Sequence, residues 1–314
     1  MTEALPERHP VLQGVEYMVG TWAWGDRYLW GYGQEYGRPE IEATFEMCCE
    51  NGTVFFDTAE VYGQGKSEQL LGEFIKEIPC NFRIATKFMP YPWRLGRGFL
   101  LRALKASLKR LGVERVDLYQ IHQPMPPLQP EVWMDGLVEA LHAGWISAAG
   151  VSNYSRAWMD RAQNALIRSG FRLAANQVEY SLLNREIEKN GLLQHCQQQG
   201  ITVLAYSPLA MGVLTGKYSP EKPVRGIRSA MYSQRTLARI KPLIQLLYKI
   251  GSDHAGKTAA QVALNWVICK GAVPIAGAKT PGQQQQNTGA LGWRLTEDEV
   301  ARLDQVSDQV AKEK

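Results

Sequence analysis

The chain has 314 residues, with 35 Lys and Arg against 31 Asp and Glu, a formal net charge of +4. Apolar residues make up 45% and charged residues 21%, a globular balance that excludes a disordered chain. The small positive excess forms no long Lys/Arg block and gives no argument for nucleic acid, and no apolar run approaches the ~20 residues needed to span a bilayer.

Strand-like runs rich in β-branched or aromatic residues begin at 17–20 and recur at 53–56, 82–86, 116–121, 146–151, 174–178, 201–206 and 272–275. Helical segments lie between them. Over 99–111, Leu100, Leu101, Leu104, Leu108 and Leu111 recur at steps of three and four; over 258–268, Ala259, Val262, Ala263, Trp266 and Val267 share a stripe. Eight strands alternating with about eight helices predict a parallel α/β sheet. Eight such units in this length predict a single (β/α)₈ TIM barrel over residues 1–314, with extra helices near the C-terminus. The rival is an open, doubly wound sheet.

The polar residues separate the two. Nearly every run ends in one: Asp57, Lys87, His122, Ser152 with Asn153, Gln177, Tyr206 with Ser207, and Lys279. A barrel gathers these ends around one mouth, where such folds keep their sites; an open sheet spreads them along an edge. The five cysteines, Cys48, Cys49, Cys80, Cys196 and Cys269, form no CxxC and have no His at ligand spacing. They predict reduced thiols in a cytoplasm-like compartment, with neither a disulfide framework nor a metal site. Residues 1–10 hold Glu3, Glu7, Arg8 and His9 and no apolar core, so they do not read as a secretory signal.

Two motif matches mislead. Gly251–Thr258 fits the phosphate-loop pattern GxxxxGK[ST], but Leu237, Ile240, Leu243, Ile244, Leu247 and Ile250 before it are helical in spacing. A phosphate loop needs a strand there, so the segment predicts a helix junction with Thr258 as N-cap. Tyr62 and Lys66 match the Tyr-xxx-Lys pair of short-chain dehydrogenases, yet Gly63 and Gly65 between them argue for a loop. The dinucleotide fingerprint GxGxxG is absent, since Tyr36 stands where the third Gly would be.

Asp57, Tyr62, Lys87 and His122 converge at adjacent strand ends and make chemical sense together. A carbonyl becoming an alkoxide needs a proton donor. A phenol, pKa ~10, is a poor acid near neutrality unless an ammonium stands beside it and a carboxylate holds that ammonium. An imidazole can orient the carbonyl. None of these groups carries hydride, so a cofactor must.

From Gly20-Thr21-Trp22 to Asn287 the chain resembles the aldo-keto reductases, in the branch of pyridoxal reductases and potassium-channel β subunits. The resemblance rests on Asp57-Thr58-Ala59-Glu60-Val61-Tyr62-Gly63, Ala85-Thr86-Lys87, Asp117-Leu118-Tyr119-Gln120-Ile121-His122, Gly150-Val151-Ser152-Asn153-Tyr154, Asn176-Gln177-Val178-Glu179-Tyr180, Tyr206-Ser207-Pro208-Leu209 and Gly277-Ala278-Lys279. It implies a catalytic set of Asp57, Tyr62, Lys87 and His122 in a barrel that binds NADPH across its strand ends and reduces aldehydes or ketones. Gly20, Thr21, Trp22 and Asp57 would border the cofactor near strand one. Ser152, Asn153 and Gln177 would hold the nicotinamide and Tyr206 would stack on it. Ser207, Pro208, Leu209, Gly212, Leu214, Gly216 and Lys217 would follow the pyrophosphate. Gly277, Ala278, Lys279, Gln283, Gln286 and Asn287 would meet the adenosine. Relatives commonly carry Glu where this chain has Gln286, an amide that can still hydrogen-bond adenine. Trp22, Trp24, Tyr91, Trp93 and His122 are the expected substrate wall. The expected partner is a small carbonyl compound, with no nucleic acid or membrane, in the cytoplasm. The alternative is an NADP-binding regulatory subunit with little turnover.

Overall fold

The structure is a computed structural model that describes residues 6–50 and 54–312. Thr53, assigned above to the second strand, and residues 1–5 and 313–314 lie outside them. The described strands are β1 (Met18–Gly20), β2 (Val54–Asp57), β3 (Phe82–Phe88), β4 (Val116–Ile121), β5 (Ile146–Ser152), β6 (Leu173–Glu179), β7 (Thr202–Tyr206) and β8 (Val273–Gly277). They pair in parallel in sequence order, and β1 pairs with both β2 and β8, so the sheet is a closed barrel. This is the predicted (β/α)₈ fold. Around it run α1 (Arg38–Glu50), α2 (Lys66–Glu77), α3 (Arg97–Leu111), α4 (Pro130–His142) and α5 (Arg156–Ile167). The short α6 (Glu186–Lys189) and α7 (Leu192–Gln198) precede β7. The long connection to β8 holds α8 (Gln234–Asp253) and α9 (Ala259–Cys269), and α10 (Pro281–Thr288) and α11 (Glu297–Lys312) close the chain.

Strand parity puts the polar residues where they are. Side chains alternate across a strand, so residues two apart share a face. Phe55, Ala85, Leu118, Ala148, Ala175, Leu204 and Val273 pack together in the barrel interior, with Leu12 and Val15 among them. Two residues further along those strands come Asp57, Lys87, Gln120, Gly150, Gln177, Tyr206 and Ile275. The same faces that carry the apolar floor therefore carry polar groups one layer up. Gly150 makes room there: a Cβ would lie 2.9 Å from Gln120 Cγ.

Outside the barrel, apolar helix faces pack on the other strand face. Trp24, Phe45, Phe56 and Phe74 form one such cluster between β2, α1 and α2, with Phe45 stacked on Phe56 at 5.2 Å. The structure corrects the cysteine reading here. Cys49 near the end of α1 and Cys80 just before β3 form a disulfide, with Cα atoms 5.2 Å apart. The two are 31 residues apart, so no local spacing signals the pair; packing of α1 beside α2 creates it. Cys48 and Cys196 are buried free thiols, and burial pushes each up to about 12.

The phosphate-loop look-alike joins two helices. α8 ends at Asp253, and Thr258 caps α9 with a reciprocal capping box to Gln261. Lys257 donates to the Gly289 carbonyl at 3.2 Å and lies over the Trp293 ring. Lys257→Ala is therefore expected to lower stability by no more than about 1 kcal/mol and to reveal no nucleotide hydrolysis. Thermal melts and an ATPase assay check this, and a Lys257-dependent ATPase would contradict the junction reading.

Candidate active site

The site is built on an ion pair sealed into the barrel mouth. Lys87 and Asp57 are both buried, with Lys87 Nζ 2.7 Å from Asp57 Oδ2. The ammonium also donates to the Thr58 carbonyl at 2.9 Å and to the Tyr62 hydroxyl at 3.2 Å. The other carboxylate oxygen, Asp57 Oδ1, accepts from Gln177 Nε2 at 2.9 Å and Gln120 Nε2 at 3.5 Å. All three ammonium donors thus have acceptors, as a buried charge requires. Burial opposes the charge on Lys87, but Asp57 and Tyr62 outweigh it and hold the ammonium above its usual range.

Tyr62 comes from the turn after β2. Gly63 and Gln64 both take positive φ there, and a Cβ on Gly63 would lie 2.8 Å from the Gly25 carbonyl oxygen. Lys66 opens α2 and pairs with Glu73, so the cation beside the phenol is Lys87. Because Lys87 donates to the phenol oxygen, the phenol's own hydrogen stays free to donate. Burial raises the Tyr62 pKa, Lys87 pulls it down and Asp57 raises it again, so the net shift is upward. Trp22 stacks on Tyr62 at 6.0 Å, and His122 meets the Tyr62 ring edge-on at 5.8 Å. Burial, then Lys87, pushes the His122 imidazole down to about 3, so it is neutral at ordinary pH.

A cavity of about 930 Å³ runs from Trp22, Tyr62 and His122 past Asn153, Gln177 and Tyr206 to Lys217, Lys279, Gln283, Gln286 and Asn287. Gly20, Asp57, Ser152, Ser207, Pro208, Leu209, Gly212 and Gly277 also line it. Asn153 Nδ2 donates to the His122 carbonyl, and the Tyr206 hydroxyl donates to Asn153 Oδ1 at 3.1 Å. At the far side the cations Lys217, Lys279 and Arg228 and the carboxylate Glu35 line it, with Lys217, Arg228 and Glu35 all acting on Lys279. Sequence reasoning missed Arg228, Glu35 and Met89, which line the cavity from connections without a periodic signal.

Other expected residues lie elsewhere. Trp24 is fully buried, its indole N–H donating to the Ala278 carbonyl at 2.9 Å, so it cannot wall a substrate pocket. Tyr91 and Trp93 stack on each other at 4.8 Å outside the cavity lining, and Met89 takes their place. Thr21 is buried and bonded to Ser67 and the Asp57 carbonyl, while Leu214 and Ala278 are packed into the interior. Gly216 sits under the Tyr248 ring, which itself faces the cavity.

No described helix is long and apolar enough to cross a membrane. Residues 17–308 match the Aldo/keto reductase family. A chloroplastic pyridoxal reductase of Arabidopsis thaliana is 42% identical over 306 residues, 93% of this chain and 83% of that protein. Among solved structures, a glycerol dehydrogenase of Gluconobacter oxydans aligns with TM-score 0.84 at 26% identity, over 99% of this chain and 97% of its own. An aldo/keto reductase of Klebsiella pneumoniae solved with NADP and acetate aligns with TM-score 0.72 at 28% identity, over 93% and 91%.

The depressed His122 pKa has a measurable consequence. Between about 6.5 and about 3 the unfolded histidine binds a proton that the folded one refuses. Its contribution to stability is therefore full above that window and is lost as pH falls through it. The imidazole NMR resonances of His122, assigned with a His122→Asn variant, are expected to stay flat from about pH 7.5 to 5, where an ordinary histidine titrates.

Proposed function

Since the chain belongs to the aldo/keto reductase family of oxidoreductases, we propose that it reduces aldehydes or ketones to alcohols with NADPH, and that Tyr62 donates the proton. The observation that carries this is the buried Lys87 ammonium bonded at once to Asp57 and Tyr62 at the wall of the cavity. The cavity suits the cofactor by its own chemistry. Lys217, Arg228 and Lys279 outnumber Glu35, which favours an anion there. Ser207, Ala210 and Met211 hold positive φ along the β7–α8 connection, backbone strain of roughly 1 kcal/mol or more per residue that clusters at ligand clamps. The Trp30 indole N–H, in the same wall, is buried without a partner. When bound, the nicotinamide supplies the hydride.

The protein's part is proton handling and orientation. A phenol with a raised pKa keeps its proton until a stronger base appears, and an alkoxide is such a base. Lys87 then stabilises the phenolate left behind, and Asp57 keeps Lys87 charged and fixed. Neutral His122 can hydrogen-bond the carbonyl oxygen without adding charge. Trp22, Trp30 and Met89 offer apolar surface to the rest of the substrate. This complete proton-relay set favours turnover over a regulatory subunit.

Tyr62→Phe removes only the hydroxyl. Reduction is expected to fall by roughly 10²–10⁴ while NADPH binding stays nearly intact. NADPH oxidation over a panel of aldehydes that includes pyridoxal tests it, and wild-type turnover by the Phe variant would refute the role of Tyr62.

Cofactor choice rests on Lys279. It precedes α10, whose N-cap Thr280 accepts from Gln283 N and keeps its own hydrogen to donate. Pro281 opens the helix without an N–H and the Gln283 and Gln284 N–H groups bond to Thr280, which leaves the Gly282 N–H and the positive end of the helix dipole for an anion. Lys279→Glu replaces attraction to the 2′-phosphate with repulsion. Affinity for NADPH should fall by about one to two decades relative to NADH. Dissociation constants for both cofactors decide it: an unchanged ratio means Lys279 does not read the phosphate.

A further inference from the structure

Lys279 is already engaged by a third loop. Glu35, in the connection from β1 to α1, has Oε2 3.7 Å from Lys279 Nζ. The Trp30 carbonyl of the same loop accepts from Lys279 at 3.4 Å, and the ammonium lies 4.4 Å from the Tyr36 ring centroid. Arg228 covers the other partner, its guanidinium 5.1 Å from the Trp30 ring. Two carboxylates line the cavity among the described residues, and Asp57 is committed to Lys87. Glu35 is therefore the carboxylate at the cationic side, and its side chain is 72% exposed.

We propose that Glu35 is a specificity-determining counter-charge: by holding Lys279 it weakens the grip on a phosphate-bearing adenosine and narrows the preference for NADPH over NADH. The inference rests on the proposed reading of the cavity as an NADP site. A dianionic phosphate at Lys279 lies well within one Debye length, ~8 Å, of Glu35, so the carboxylate repels it and competes for the lysine. A cofactor with a ribose hydroxyl at that position feels neither effect. Glutamine keeps the shape and removes the charge.

Calorimetry with adenosine 2′,5′-bisphosphate and 5′-AMP isolates the effect, because the two differ only in the 2′-phosphate. Glu35→Gln is expected to tighten the bisphosphate by about three- to fivefold, the scale of one partly exposed charge pair, and to leave 5′-AMP unchanged within about twofold. The gain should shrink at high salt and vanish in a Lys279→Met background. Equal gains for both ligands, a gain that survives Lys279→Met, or no gain at all overturns the role of Glu35. If the wild-type protein binds neither the bisphosphate nor NADPH, the cofactor reading falls and this inference with it. If it prefers the bisphosphate and Glu35→Gln changes nothing, the cofactor reading stands and Glu35 alone is refuted.

Discussion

An ammonium and a carboxylate have been taken out of water inside a barrel, and the rest of the site is arranged around that fact. Desolvating two ions is costly, and their attraction compensates only when the remaining donors and acceptors are also satisfied. Here the satisfaction is complete on the lysine side: Asp57, the Thr58 carbonyl and Tyr62 accept its three hydrogens. On the carboxylate side it recruits two amides, Gln177 from β6 and Gln120 from β4. Gly150 is part of the same account, because a side chain there would displace Gln120. Asp57, Gln177 and Tyr62 of this network line the cavity, and in the proposed reaction Tyr62 is the one that passes a proton into it.

Much of this was legible in the sequence, for a reason that is physical. The period of two along a strand ties Asp57 to Phe55, Lys87 to Ala85 and Gln177 to Ala175. Once the alternation of runs implies a barrel, polar residues at the last inward positions must meet at its mouth. Arg228 and Glu35 escaped because long connections obey no period. Trp22 and Trp24 show the same limit at closer range. They are two residues apart after β1, yet Trp22 faces the cavity and Trp24 packs between Phe56 and Phe74. In a turning loop the local backbone decides each direction, and residue type does not report it. The Cys49–Cys80 pair was invisible for a related reason, since it depends on how two helices lie side by side.

The cavity divides into two electrostatic regions, and the division constrains what can occupy it. Around Tyr62 the charges cancel: Asp57 balances Lys87 and His122 is neutral. Around Lys279 three cations meet one carboxylate, and burial followed by the nearness of Arg228 and Lys217 lowers the Lys279 pKa despite Glu35. A ligand spanning both regions must therefore be anionic at one end and able to accept a proton beside its other end. A lone phosphate meets only the first demand, and a lone aldehyde only the second. A dinucleotide with a carbonyl compound beside its uncharged end meets both, which is why the proposed reaction needs two molecules in a single cleft and why its two halves are open to separate tests.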